Sequence, residues 1–371
     1  MQRLVHLTLA LATLTIESQA CTAFQVQAQD GSWVYGRSME FGFRLNSDLL
    51  IVPRNASYTG TAPNGQSGIT WKTQYGYVGM NQSFATTLVS DGMNEKGLVA
   101  SVLYLPGLAE YQTPDSNQLN RTLGMWELPS YLLGNCATVQ EVKTLLPTLL
   151  VAQQVTPQLK DIVLPLHLYV SDNKGAALVV EYINGKLQVY DNPLGVLTNS
   201  PSFPWHLTNM TNYINLSPIN VSQLKFSNVM IKNVGQGSGL LGLPGDFTPP
   251  SRFVRAALFS QWATPASDGV SAAKLCFHIL NSFDLFDGIV RSATSDRSNP
   301  AAGPDITEWV VVHDRTQLKT YYRTYEGLTI ESVDLRTIDF NQEGYRKISL
   351  SNTFSPTDRT KMEQPLDLLR N

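Results

Sequence analysis

Three residue types that do acyl chemistry stand close together near the start of the chain: a cysteine at 21, an arginine at 37 and a glutamate at 40. Cys21 opens the stretch Cys21-Thr22-Ala23-Phe24-Gln25 and directly follows a segment built like a secretory leader. That segment has Arg3 at its front, a mostly apolar run over residues 4–16, and a small-x-small pattern at Ser18 and Ala20. Cleavage after Ala20 would leave a thiol and a free α-amine on one residue. An α-amine has a pKa of about 7.7–8.0 and a thiol about 8.5, so the amine can take the thiol proton near neutral pH. Cys21 would then be a nucleophile that carries its own base. Beside it, Arg37 would hold the thiolate down. Glu40 would accept a hydrogen bond from the amine and orient it. These two charges push the amine in opposite directions.

A cysteine behind a leader is also where lipoproteins are acylated, and acylation of the amine would remove the base. The alternative from another class is therefore a lipid-anchored binding protein with a lipidated Cys21. The context fits that poorly. Such sites usually carry Leu three residues before the cysteine and a small residue two before, where this chain has Ser18 and Gln19. The leader's apolar run is too short for a permanent anchor, and no later segment approaches the ~18 apolar residues a membrane helix needs. The expectation is an exported protein, periplasmic or secreted, without a membrane span.

A formal charge of −3 with 15% charged residues leaves no basic stripe for nucleic acid. Three cysteines are too few for a disulfide scaffold. Cys136 and Cys276 could pair, although both fall in helix-like apolar contexts where a buried free thiol is the commoner state. No CxxC or HExxH occurs, and His167, His206, His278 and His313 are scattered without an obvious partner. No metal and no cofactor is expected.

Positioning Cys21 requires a hairpin. Residues 22–26 suit a strand, Asp30-Gly31 a tight turn and residues 33–37 the return strand, with Arg37 and Glu40 at or beyond its end. A second β unit is expected over 84–105, with residues 91–97 separating its two runs. Residues 123–151 read as helical, with a clear helix starting at Ala137. Strands return at 166–170, 177–182 and 187–190. The Gly- and Pro-rich stretch from Gly235 to Ser251 reads as a long loop near the site, residues 253–262 and 270–280 as helices, and 309–333 as strands. Asn94, in the turn before Gly97, is taken as structural. Met39 and Phe41 would offer apolar surface to an acyl group, or serve as core beside the hairpin. With no linker and no repeat, residues 21–371 are expected to form one layered domain behind a leader at 1–20.

Six short motifs in order make the chain similar to the choloylglycine hydrolase family of bile salt hydrolases and penicillin V acylases. They are Cys21-Thr22, Asp30-Gly31 leading to Gly36-Arg37-Ser38-Met39-Glu40, Asn94-Glu95-Lys96-Gly97-Leu98, Leu103-Tyr104-Leu105-Pro106-Gly107, Leu197-Thr198-Asn199-Ser200-Pro201, and Pro250-Ser251-Arg252-Phe253-Val254-Arg255. The resemblance implies an α+β fold, the four-layer αββα sandwich of N-terminal-nucleophile hydrolases. It implies that Cys21 is the nucleophile and that Arg37 and Arg252 are the active-site arginines. Asn199 would donate its side-chain amide to the oxyanion, and the Tyr104 backbone N–H would be the second donor. Glu40 stands where much of the family has Asp. Tyr104 stands where typical bile salt hydrolases carry Asn; an aromatic there is similar to the penicillin V acylases. The expected reaction is hydrolysis of the linear amide of a small N-acyl substrate, penicillin V acylase-like, with conjugated bile salts and N-acyl homoserine lactones as alternatives. Relatives are often tetramers, so a homotetramer is a further expectation.

Overall fold

Long apolar runs at both ends of the chain pair with each other rather than only with their neighbours. In the computed structural model, which describes residues 20–155, 162–291 and 305–360, the chain opens with β1 (Cys21–Gln27), β2 (Trp33–Phe41), β3 (Asp48–Val52), β4 (Tyr77–Met80), β5 (Asp91–Asn94) and β6 (Val99–Tyr104). Helices α1 (Leu128–Asn135) and α2 (Val139–Leu145) follow, then β7 (Leu166–Ser171), β8 (Ala177–Ile183) and β9 (Lys186–Asp191). Helices α3 (Phe203–Asn209), α4 (Pro249–Trp262) and α5 (Gly269–Leu280) precede β10 (Ile306–Asp314), β11 (Lys319–Thr324), β12 (Glu331–Asp334) and β13 (Arg346–Ser349). The leader expected at 1–20 lies outside the described residues except for Ala20.

One sheet has the order β1-β2-β10-β11-β12, the other β9-β8-β7-β6-β5-β4-β3-β13. Neighbouring strands in both are antiparallel. Helices α4 and α5 cover the outer face of the five-stranded sheet, and α1 covers the outer face of the eight-stranded one. The result is the expected α+β sandwich of helices, two sheets and helices. β2 explains why both faces need cover: every residue from Val34 to Phe41 is buried. At Gly36 a side chain would meet Leu280 and Cys276 of α5 at 3.1 and 3.3 Å, so glycine lets that helix sit close. Asp268 caps α5 by accepting from the Ser271 N–H at 2.8 Å, a contact of about 1 kcal/mol. The helix then buries Ala272, Ala273, Cys276, Phe277, Ile279 and Leu280 against the sheet.

Several expectations change. β2 runs on to Phe41 and pairs Met39 with Cys21, so Arg37 and Glu40 lie within the strand rather than at its end. Of the β unit at 84–105, residues 84–90 form no strand, and the supposed separator contains β5 itself. The helical reading of 123–151 shortens to α1 and α2, flanked by short strands at Thr122–Gly124 and Leu150–Ala152. Cys136 and Cys276 are free and buried in two different cores, one beneath α1 and one beneath α5. Three histidines that lacked a visible partner have one: His167 with Glu181 at 3.2 Å, His313 with Asp91 at 2.8 Å, and His206 with the Asn199 carbonyl at 2.8 Å. Asn94 is structural as expected. Its Oδ1 accepts from the Lys96 and Leu98 N–H groups, and its Nδ2 donates to Leu133 O and Cys136 O at the end of α1. Among the described residues no helix is long and apolar enough to cross a membrane.

Candidate active site

Cys21 is the first residue of an edge strand, which leaves the far side of β1 open to another segment. That segment is 197–199. Ala23 and Leu197 exchange N–H···O bonds of 2.8 and 2.9 Å, and the antiparallel register carries Asn199 to Cys21. The Cys21 N–H donates to Asn199 Oδ1 at 3.0 Å. The thiol is almost wholly buried, with Sγ 3.7 Å from Arg37 Nη2 and 3.8 Å from Met39 Sδ. Burial pushes the Cys21 thiol up, and the Arg37 cation opposes that rise. Such a thiol stays protonated until a base takes its proton. No histidine or carboxylate among the described residues hydrogen-bonds its sulfur, so the nitrogen nearest by bonding is its own.

Strand alternation decides where the charges of β2 go. Arg37, Met39 and Phe41 point toward the second sheet, on the side of the thiol. Arg37 is fully buried there. Its Nη1 donates to Ser101 Oγ at 2.7 Å and Ser90 O at 3.0 Å, and pairs with Asp91 at 3.4 Å; its Nη2 donates to Val102 O at 2.6 Å. Asp91 also accepts from Tyr35 at 2.9 Å and contacts His313. Burial would raise the Asp91 carboxyl, but His313 and Arg37 outweigh it and hold the carboxyl below its usual range. The sequence reading missed Asp91, Ser101 and His313. Their signal was weak because they lie on three different strands, Asp91 and Ser101 side by side in one sheet and His313 in the other.

Glu40 falls on the opposite face of β2, toward α4. This corrects its expected contact: it does not hydrogen-bond the Cys21 nitrogen, whose partner is Asn199. Glu40 Oε1 accepts from Thr307 at 3.2 Å, and Oε2 has no hydrogen-bond partner among the described residues. Burial pushes the Glu40 carboxyl up to about 8, against the pull of Arg252. Such a carboxyl holds its proton more tightly folded than unfolded. Its contribution to stability is present below the ordinary value of 4.5 and is lost as pH rises through about 8. Glu40→Gln is therefore expected to flatten the fall in stability between pH 5 and 9, by about 2–4 kcal/mol at the alkaline end. Thermal melts of both proteins across that range check it, and parallel curves would refute it.

Arg252 stands in the first turn of α4 and is buried, not the exposed helix charge that its local sequence suggests. It ties the site together by donating to Cys21 O, to Thr22 Oγ1 at 2.9 Å and to Asn199 Oδ1 at 2.6 Å. Burial pushes it down to about 10, with Glu40 and Cys21 working the other way. Asn199 Oδ1 thus receives two donors. Its Nδ2 donates one hydrogen to Tyr104 O at 2.9 Å, which leaves one N–H free, since an amide has two. His206 holds the Asn199 carbonyl from behind, and burial keeps its ring neutral, with a pKa pushed down to about 4.

Tyr104 contributes its backbone. Along β6, Leu105 donates to Pro165 O on the β7 side, whereas Val102 donates to Ser90 O on the other. The alternation turns the Tyr104 N–H away from β7, to the side that holds Cys21. Its ring joins a cleft of about 560 Å³, solvent at its mouth included, that opens onto the thiol and is lined also by Met39, Phe41, Phe84, Leu88 and Trp126. Met39 and Phe41 were expected there. Phe84, Leu88 and Trp126 were not, because they come from irregular segments whose sequence carries no strand or helix period.

A buried thiol, a guanidinium against it and free N–H donors beside it suit attack on a carbonyl carbon. The comparisons agree. The model of the linear amide C–N hydrolases, choloylglycine hydrolase family, matches residues 21–347. The chain is 31% identical to the bile salt hydrolase/transferase of Clostridium perfringens, over 90% of this chain and 98% of that protein. It is 30% identical to the penicillin V acylase of Pectobacterium atrosepticum, over 91% of this chain and 87% of that one. A crystal structure of a variant of the conjugated bile acid hydrolase of Clostridium perfringens superposes with a TM-score of 0.80 at 29% identity, covering 91% of this chain and 99% of that one. A sandwich with a buried cysteine at the head of its first strand, matched over this length, belongs to the choloylglycine hydrolase family, and the protein is a hydrolase of linear amide C–N bonds.

Proposed function

We propose that the mature enzyme is exported, begins at Cys21 and is an N-terminal-nucleophile amidase acting on N-acyl compounds. The observation that carries this reading is the arrangement around Cys21: its nitrogen on Asn199, its sulfur against Arg37, and no other base at the thiol. The family match starting at Cys21 supports it. With Ala20 removed, the α-amine accepts the thiol proton and the thiolate attacks the amide carbonyl carbon. The oxyanion takes the Tyr104 N–H and the second N–H of Asn199 Nδ2. Collapse breaks the C–N bond, and the leaving amine carries away the proton held by the α-ammonium. Water, deprotonated by the same amine, then cleaves the thioester and restores the thiol. Glu40 holds its proton at neutral pH; ionised above about pH 8, it would push the Cys21 thiol up, against Arg37.

The acyl group would occupy the aromatic-rich cavity. Tyr104, Phe41, Phe84 and Trp126 around it favour penicillin V and N-acyl homoserine lactones, whose acyl parts are flat or flexible. A second reading, a conjugated bile salt hydrolase, is favoured by the identity to proteins of that name. Values of kcat/KM for penicillin V, an N-acyl homoserine lactone and a glycine-conjugated bile salt decide between them, and a strong preference for the bile salt overturns the first. The lipid-anchor alternative requires diacylglycerol on the Cys21 sulfur, and the mass of the mature N-terminal peptide tests it. The burial of that sulfur inside the sandwich supports a free thiol. For assembly, we propose that the exposed apolar arm at Leu224–Phe226 and Val229–Ile231 docks on a second copy toward the homotetramer; sedimentation of wild type and Phe226→Asp tests it.

A further inference from the structure

The cavity at Cys21 does not end in solid core. One of its walls is the indole of Trp126, and that one side chain is shared by three spaces. The first is the acyl cavity itself. The second is a narrow gap of about 10 Å³ between Met125, Ala152, Gln154, Leu164 and Leu166. The third is an open cleft of mixed character, lined by Asn64, Gln112 and Gln154 together with Ala62, Pro63 and Val155. Leu164 and Leu166 also line both the first and the second, and Gln154 both the second and the third, so the three spaces run in series with Trp126 along them.

The indole is held in place. Its Nε1–H donates to Gln154 Oε1, and Gln154 in turn donates to Thr61 O. Gly124 makes room for this pair, because any side chain there would collide with the Gln154 amide. The buried Glu127 carboxylate accepts from Gly124 N at 2.8 Å and from the Thr61 N–H and hydroxyl, which fixes the backbone on both sides. A rigid, hydrogen-bonded aromatic wall between an acyl cavity and empty space behind it is a length stop.

Resting on the amidase reading above, we propose that Trp126, pinned by Gln154, sets the longest acyl chain the enzyme accepts, and that the space behind it is a latent extension of the acyl site. A chain that reaches the indole has to displace it and break its hydrogen bond. One that stops short does not. Removing the ring vacates its own volume and joins the acyl cavity to the cleft behind it, where Ala62, Pro63 and Val155 can meet further methylenes.

The test compares wild type, Trp126→Ala, Trp126→Phe and Gln154→Ala on N-hexanoyl and N-dodecanoyl homoserine lactone, with Cys21→Ala as the blank. Inhibition or binding by hexanoate and dodecanoate, the acids released, is measured alongside. Trp126→Ala is expected to raise the dodecanoyl-to-hexanoyl ratio of kcat/KM by about tenfold or more, and the affinity ratio of the two acids with it. Gln154→Ala, which keeps the ring but frees it, should give a smaller shift in the same direction. Trp126→Phe loses both the Nε1–H bond to Gln154 and part of the ring, so its ratio should fall between those of Gln154→Ala and Trp126→Ala; melting curves of all four proteins control for folding. Cys21-dependent turnover with the same chain-length ratio in Trp126→Ala overturns the length stop alone. Turnover that survives in Cys21→Ala overturns the amidase reading instead. Failure of every variant to turn over or bind either chain overturns both.

Discussion

Cys21→Ala is expected to lose more than about 10⁴-fold in kcat on any linear amide the wild type cleaves, with little change in fold. The mechanism has no second nucleophile to fall back on. In the proposed mechanism the sulfur forms the bond to the acyl carbon, and around it the structure places donors and apolar walls. Alanine deletes one buried atom beside Arg37 and Met39. Arg37 keeps Ser90, Ser101, Val102 and Asp91, so the melting temperature should move little. Cys21→Ser keeps the shape and the amine but raises the pKa of the attacking group, and should leave weak turnover or none. Rates and melting curves on the three proteins, with the mature N-terminus verified by mass, check this. Wild-type activity in Cys21→Ala would end the mechanism.

The second large effect is expected at Asn199. Its side chain meets three partners: the Cys21 nitrogen, Arg252 and the Tyr104 carbonyl. Asn199→Ala removes an oxyanion donor, worth about 10²–10³ in kcat. It also deprives the buried Arg252 of a charge-assisted bond of about 1.5–3 kcal/mol, so stability should fall as well. Asn199→Asp separates the two roles. The carboxylate still accepts from Cys21 and Arg252, but its second oxygen faces the Tyr104 carbonyl in place of the lost Nδ2 bond and cannot donate to an oxyanion. Asn199→Asp should therefore be nearly as slow as Asn199→Ala while keeping the Arg252 contact. A fast aspartate variant would show that the donor is elsewhere and that Asn199 only positions Cys21.

Reading the chain without its structure picked out Cys21 and most of the residues that the fold gathers around it, for reasons of local chemistry. Cys21 behind a leader-like segment, the Asp30-Gly31 turn and the strands at β7, β8 and β9 rest on near-neighbour signals. The helices α4 and α5 were legible too, because a helix satisfies its own backbone and shows its period locally. Strands β3, β4 and β13 were not, since a short strand is stabilised by partners far along the chain. β13 pairs with β3 across some 300 positions. For the same reason residues 84–90 looked like a strand and are not one. Their apolar side chains are spent on the wall of the acyl cavity.

The sequence by itself singled out Cys21 as the candidate nucleophile, because a thiol and an amine on one residue need no fold to be neighbours once Ala20 is removed. It also determined, through ordered motifs, which arginines and which asparagine belong with it. The tertiary structure alone decided how they are arranged. The length of β2 and the two-residue period of a strand sent Arg37 to the thiol and Glu40 to the opposite face. The bridge between Ala23 and Leu197 delivered Asn199 to the Cys21 nitrogen. The meeting of three strands placed Asp91 and His313 beneath Arg37. These are distances across a sandwich, fixed by pairing and packing between segments that the chain keeps far apart.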